Sequence, residues 1–175
     1  MANLLASDIE APISMQIPIM LKILSFERNV KAKAGPSINI ILVYQKDYRE
    51  SLNAMKDVVQ LESLIESYSL EGKKLNIKYL SINTAQDLMF ESRTANIIIV
   101  APLRAIDMYA ISSVCESKGI LSVSTVVSYV ERGFFSVGVD IKGDKLQPVI
   151  NLNKVKREGA EFSSRLLNLS KVVNK

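Results

Sequence analysis

Histidine is absent from the 175 residues and cysteine occurs once, at position 115, and these two facts limit the chemistry open to the chain. Without an imidazole there is no Ser-His-Asp or Cys-His nucleophile, and the commonest general base and commonest metal ligand are both missing. One thiol without an imidazole cannot build a zinc or thiolate-cluster site, so only oxygen-ligated ions remain open, and no metal or cofactor is expected. Cys115 lies near Ile111 and Val114 and reads as a small buried hydrophobe ahead of the alternative, a reactive or intermolecular thiol; alone, it cannot close an intramolecular disulfide. No G-x-x-x-x-G-K-[ST] or G-x-G-x-x-G stretch occurs, which argues against nucleoside triphosphates and dinucleotides. Asp140 and Asp144 flank a turn, and Asp8 and Glu10 lie near the N-terminus. Glu158 and Glu161, beside Arg157 and Arg165, read as surface ion pairs of little energetic weight. No pair of carboxylates is spaced for acid–base work, and no catalytic residue is nominated.

The remaining polar groups fall just after segments that read as parallel strands: Gln45/Lys46, Asn83/Thr84, Arg104 and Ser124/Thr125. Open α/β sheets bind ligands at such strand ends, near a point where the strand order reverses. Gln45, Asn83, Arg104, Ser124 and Thr125 are therefore the candidate ligand-binding set, neutral groups plus one cation that suit a small anion. The competing reading is that they cap helices and turns.

The elements that must position these groups follow from periodicity. Residues 15–28 carry Ile17, Met20, Leu21, Leu24 and Arg28 at helical spacing, with Pro18 tolerable only in the first turn. Residues 37–44 form a nearly unbroken β-branched and aliphatic run, as expected of a strand covered on both faces. A helix is predicted over 47–70 and a strand over 75–82. A short helix over 84–91, a strand over 96–101, a helix over 104–118 ended by Gly119 and a strand over 120–126 follow. Residues 134–141 and 146–152 then flank Lys142-Gly143-Asp144-Lys145 as an antiparallel hairpin, with Pro148 restricting the second arm to an edge or a bulge. Asn153 can cap a short helix ending at Gly159, and Ser163 a last one presenting Leu166, Leu167, Ser170 and Val173. Strand and helix thus alternate, which calls for right-handed crossovers. The expected fold is a three-layer Rossmann-like α/β sandwich, mostly parallel, with a C-terminal antiparallel hairpin. Length and lack of a linker make residues 1–175 one domain, with 1–12 a mobile lead-in.

With 22 basic and 18 acidic residues the net charge is only +4, and the basic residues are dispersed, so no nucleic-acid partner is expected. No apolar run reaches the roughly 18 residues of a membrane span, which predicts a soluble chain. The N-terminus lacks the basic and long apolar regions of a signal peptide; a cytoplasmic start and a start near the cleavage site of an exported protein both fit.

The C-terminal third is the most distinctive. A Gly-led strand from Gly133, an Ile150-Asn151-Leu152 strand end, Lys156-Arg-Glu-Gly159 closing a short helix, and Ser163-Ser164-Arg-Leu166-Leu167 follow in order. This series resembles the tail of the YfiR/HmsC-like family of exported bacterial proteins, and a weaker likeness extends through residues 96–124 and 15–44. The matching positions are structural ones: glycines that relax the backbone, and Asn151 and Ser163 that bond a turn and cap a helix. The chain departs from the family where Ala95-Asn96 replaces a common Cys-His pair and where a Trp-Pro after the first helix is missing, so disulfide-based redox control is not expected. The resemblance implies a periplasmic, non-enzymatic regulator of cyclic-di-GMP signalling. Its expected partner is a membrane diguanylate cyclase held inactive or, as an input module, a sensor kinase. An outer-membrane protein is a further expected partner, and a homodimer is compatible with a dimeric cyclase. Two other readings stand beside it: a small-ligand sensor using the strand-end residues, and a cytoplasmic flavodoxin-like enzyme.

Overall fold

The computed structural model describes residues 9–174; Asp8 and the rest of residues 1–8 lie outside the described residues. Within the expected lead-in, Ala11 is buried. α1 (Ile13–Ser25) buries Ile13, Ile17, Met20, Leu21 and Leu24, the stripe expected from helical spacing. It starts earlier than the sequence suggested, so Pro18 lies inside the helix rather than in its first turn, and ends at Ser25, three residues before Arg28. A short α2 (Asn29–Lys33) follows, and β1 spans Ser37–Tyr44 as expected.

The helix predicted over 47–70 is two helices and a strand: α3 (Arg49–Val59), α4 (Glu62–Ser67) and β2 (Ser69–Leu70). The break is local, because Leu61 leaves helical geometry at φ −104° and ψ 4°, and Tyr79 Oη then donates to Glu62 at 3.0 Å, drawing α4 onto the next strand. That strand is β3 (Lys73–Ser81). α5 (Ala85–Glu91) opens on a capping box between Thr84 and Asp87 and runs into a 3-10 turn at Ser92–Thr94. β4 (Ile97–Val100) leads to α6 (Met108–Lys118), which starts four residues later than predicted because Asp107 is its cap, accepting from Tyr109 N and Ala110 N at 2.9 and 3.2 Å. Gly119 ends α6 at φ 63°, the left-handed geometry glycine favours.

β5 (Leu121–Ser124) is followed by α7 (Val127–Glu131), a helix too short to show a period in the sequence. The hairpin is β6 (Val137–Lys142) and β7 (Lys145–Asn151). Phe134 and Phe135, expected in the first arm, precede it and are buried. α8 (Leu152–Arg157) is capped by Asn151 rather than Asn153, α9 (Ser164–Leu169) by Ser163, and Val173, expected on the last helix, lies in β8 (Lys171–Val173).

Among the described residues, eight strands form one sheet in the order β2-β3-β1-β4-β5-β6-β7-β8. β2–β3 and β6–β7 are antiparallel and the other neighbours parallel, which is the mostly parallel sheet with an antiparallel hairpin that the sequence implied. Pro148 is the last residue of β7 before its pairing with β8 begins at Val149, so the edge it needs exists only over the first half of the strand. Strand alternation feeds two cores. Ile38, Ile40 and Leu42 pack with residues of α1, α3, α4, α8 and α9 on one face, while Ile41 and Val43 pack with residues of α5, α6 and α7 on the other.

Candidate functional site

β1 gives rise to β3 on one side and, through the chain's return, lies beside β4 on the other, so the strand order reverses between β1 and β4. At their C-terminal ends the Gln45 amide clasps the loop after β4: Arg104 N donates to Gln45 Oε1 at 2.6 Å, and Gln45 Nε2 donates to Arg104 O at 3.0 Å. The same loop is held from below by α7, where Leu103 N donates to Tyr129 Oη at 3.1 Å and Tyr129 Oη donates to Leu103 O at 3.2 Å. These bonds fix a turn in which Ala105 has φ 54°, left-handed backbone that a non-glycine residue rarely adopts.

Around this turn lies an open depression of about 200 Å³ lined by Gln45, Asp47, Tyr48, Asn83, Arg104 and Ala105. The structure therefore brings Gln45, Asn83 and Arg104 together. Gln45 has both ends of its amide engaged with the backbone of residue 104, so it positions Arg104, whose side chain is exposed. Asn83 N and Thr84 N both donate to Asp87 Oδ2, at 2.8 and 2.9 Å, and those bonds hold the Asp87 carboxyl below the usual carboxylate range. Ser124 and Thr125 do not join the depression. Both are buried, with Ser124 Oγ donating to Val126 O at 3.0 Å and Thr125 Oγ1 to Val100 O at 3.2 Å. A larger groove of about 480 Å³ runs between the start of α1 and α3, but Glu10, Glu50 and Asp57 line it without a cation, the wrong sign for an anion.

The C-terminal motif residues act structurally. Gly133 and Gly159 have φ 91° and 70°, Asn151 Oδ1 accepts from Lys154 N at 3.2 Å, and Ser163 Oγ accepts from Leu166 N at 3.4 Å. Ile150 and Leu166 are buried, Leu167 packs against the same core, and Leu152 and Ser164 are the first residues of α8 and α9.

Sequence reasoning missed the buried charges at the opposite end of the sheet. Glu158 is not a surface residue but 1% exposed. Its carboxyl accepts from Ser122 N at 2.9 Å and from Ser122 Oγ and Ser136 Oγ at 2.5 Å each. Burial pushes it up to about 7 against the pull of those bonds and of the Lys154 charge. Lys154, 3% exposed, gives its ammonium to Ser112 and Glu116. The Cys115 thiol, fully buried beside this network, is pushed well up by burial and by the Glu158 charge. The pairs expected among Arg157, Arg165, Glu158 and Glu161 have other partners: Glu161 meets Arg28 at 3.4 Å at the surface, and Arg157 meets Glu116 at 3.8 Å rather than Glu158. A signal existed: Asn151, Lys154, Val155 and Glu158 recur at helical spacing, so a buried face with polar members was legible had the charges not been assigned to solvent.

The profile of the YfiR/HmsC-like family matches residues 14–171, from the first turn of α1 into β8. The chain belongs to the YfiR/HmsC-like family. That family is one of exported regulators associated with cyclic-di-GMP signalling through membrane proteins, and it is regulatory rather than enzymatic. No curated protein matches the chain significantly. Among solved structures, the ABC domain in complex with L-Trp from Streptococcus pneumonia is 13% identical with a TM-score of 0.64, over 93% of this chain and 60% of that one. A conserved domain protein from Vibrio cholerae O1 biovar El Tor is 13% identical with a TM-score of 0.56 over the same shares. The ligand-free, open substrate binding protein with adhesive properties from Clostridium difficile is 12% identical with a TM-score of 0.53, over 83% and 57%. At these identities the likeness is one of fold, and the chain spans about three fifths of the length of each. No helix among the described residues is long and apolar enough to cross a membrane.

Proposed function

We propose that the protein is a periplasmic regulator that binds the extracytoplasmic part of an inner-membrane diguanylate cyclase and holds it inactive, and that residues 1–175 act as one domain. The observation that carries this reading is the family match over residues 14–171, which includes both cores and the C-terminal helices and not merely the sheet. The absence of histidine supports action by contact rather than by catalysis. Release by an outer-membrane partner and a homodimer matched to the cyclase belong to the same proposal. The test is cyclic-di-GMP synthesis by a cyclase from the same cell, reconstituted in nanodiscs with its extracytoplasmic part accessible. Added protein should lower the rate saturably, and no change in rate together with no binding to the nanodisc would overturn the proposal. Capture of a sensor kinase instead would keep the docking role and replace the partner.

A second reading rests on the depression at the β1–β4 reversal. There Gln45 and Tyr129 hold Arg104 beside Asn83, an arrangement suited to a small carboxylate or other anion. The solved structure from Streptococcus pneumonia is described in complex with L-Trp, so free amino acids belong in the first calorimetric panel. A ligand whose affinity survives Arg104→Ala would remove this site. The flavodoxin-like enzyme reading has only strand order in its favour, and fold does not carry activity.

A further inference from the structure

The groove of about 480 Å³ between the start of α1 and α3 has two unlike walls. From the α1 side come Ile9, Pro12 and Ile13. From α3 and its C-cap come Glu50, Asn53, Asp57 and Gln60, which recur at i, i+3, i+7 and i+10 and so form one stripe along the helix. Ala54 and Val58 are buried in the core, and the cations of the same helix, Arg49 and Lys56, stand one position off the stripe. Among the described residues no basic side chain lines the groove, although the chain carries 22 basic residues against 18 acidic.

The fold gives the two carboxylates of this stripe no partner. Glu50 lies in the first turn of α3, where the helix dipole favours an acid, but its Oε2 is shut from solvent and accepts no hydrogen bond. Asp57 lies in the last turn, where the dipole disfavours an acid, and it is exposed with no ion pair among the described residues. Glu10, also in the groove, stands beside the Asp140 carboxyl, and Lys171, the cation that acts on it, is already paired with Glu131.

We propose that this groove is the docking site for a basic, aliphatic segment of the partner protein, with Lys or Arg side chains against Glu50 and Asp57 and aliphatic side chains on Pro12 and Ile13. This surface deepens the docking role proposed above, on which it rests. Charge complementarity selects the occupant. An acidic segment is repelled, a purely apolar one leaves Glu50 desolvated without a partner, and a basic one supplies the donor that Oε2 lacks. Asn53 and Gln60, both exposed, offer amides to the backbone of such a segment.

The test is amide NMR of the labelled full chain titrated with short peptides alternating lysine with leucine, lysine with glycine, or glutamate with leucine. The lysine–leucine peptide should bind saturably and shift the amides of the α3 stripe and of Ile13 and Ser14; the other two should bind at least about tenfold more weakly. The double variant E50Q/D57N should weaken lysine–leucine binding by about tenfold, while E66Q, on α4 outside the groove, should bind as the parent chain does. D57N alone should weaken binding without lowering the denaturation midpoint, because it removes an acid from the unfavourable end of α3. The proposal is overturned if the lysine–leucine peptide leaves the stripe unmoved, shifts acidic residues alike over the whole surface, or binds the double variant as tightly as the parent. Shifts of the stripe with protein concentration alone would overturn it too, by assigning the groove to a second copy. Cyclase nanodiscs separate this surface from the docking role. Equal binding by parent and double variant overturns the groove and keeps the docking role, whereas peptide binding without nanodisc binding removes the cyclase and keeps the groove.

Discussion

The two ends of the sheet spend polar residues in opposite ways. At the C-terminal ends of β1 and β4, Gln45 and Tyr129 shape a loop and leave Arg104 and Asn83 facing water over an open depression. At the other end, where β7 hands over to α8, Glu158, Lys154, Ser112, Ser122 and Ser136 are closed off and bond one another or Glu116. The first arrangement stabilises little and is free to recognise something. The second is costly to break, because each member left unpaired is a buried charge or hydroxyl.

That contrast can be broken by substitution, and the sizes differ. Lys154→Ala should cost about 3 kcal/mol in urea denaturation, since it strips the buried network of its cation and of a packed side chain. A loss below about 1 kcal/mol would mean that this end is no more critical than the surface. The pH response comes next. Glu158 is raised in the folded state from 4.5 to about 7, so the folded chain binds the extra proton between those values and stability falls as pH rises through that window, by about 3 kcal/mol in all. Denaturation midpoints taken across it should decline, and those of Glu158→Gln should decline less.

Asn151→Ala removes the α8 cap and the bond from Asn151 Nδ2 to Val130 O at 3.3 Å, for an expected loss of about 1.5 kcal/mol. Asn153→Ala, at the position first assigned as the cap, should cost less than about 0.5 kcal/mol, and the pair of variants sharpens where α8 begins. Smallest in stability is Arg104→Ala at the open end, also less than about 0.5 kcal/mol, although any anion bound in the depression should be lost with it.

Sequence legibility divides along the same line. β1 and β4 were readable because strands buried on both faces must be apolar almost throughout, and no solvent-exposed alternative accommodates Ile38 to Val43. α4, α7 and β8 were not, since elements of six, five and three residues carry too little period to distinguish from loop. In the candidate site, Arg104 and Asn83 could be named from their place after apolar runs. The burial of Ser124 and Thr125 could not, because it depends on the tight turn into α7 that the sequence left unread.

By itself, then, the sequence determined the α/β class, the parallel sheet with its hairpin, the exclusion of imidazole chemistry and of thiolate-cluster sites, and a C-terminal motif sufficient for the family, all properties carried by residue type and local spacing. Only the tertiary structure decided that Glu158 is buried between Ser122 and Ser136 rather than a surface charge, and that Gln45 engages the loop after β4 with both ends of its amide. The physical reason is that burial and partnership are properties of segments brought together across the chain: Ser122, Ser136 and Glu158 meet only because β5, β6 and α8 converge at one end of the sheet.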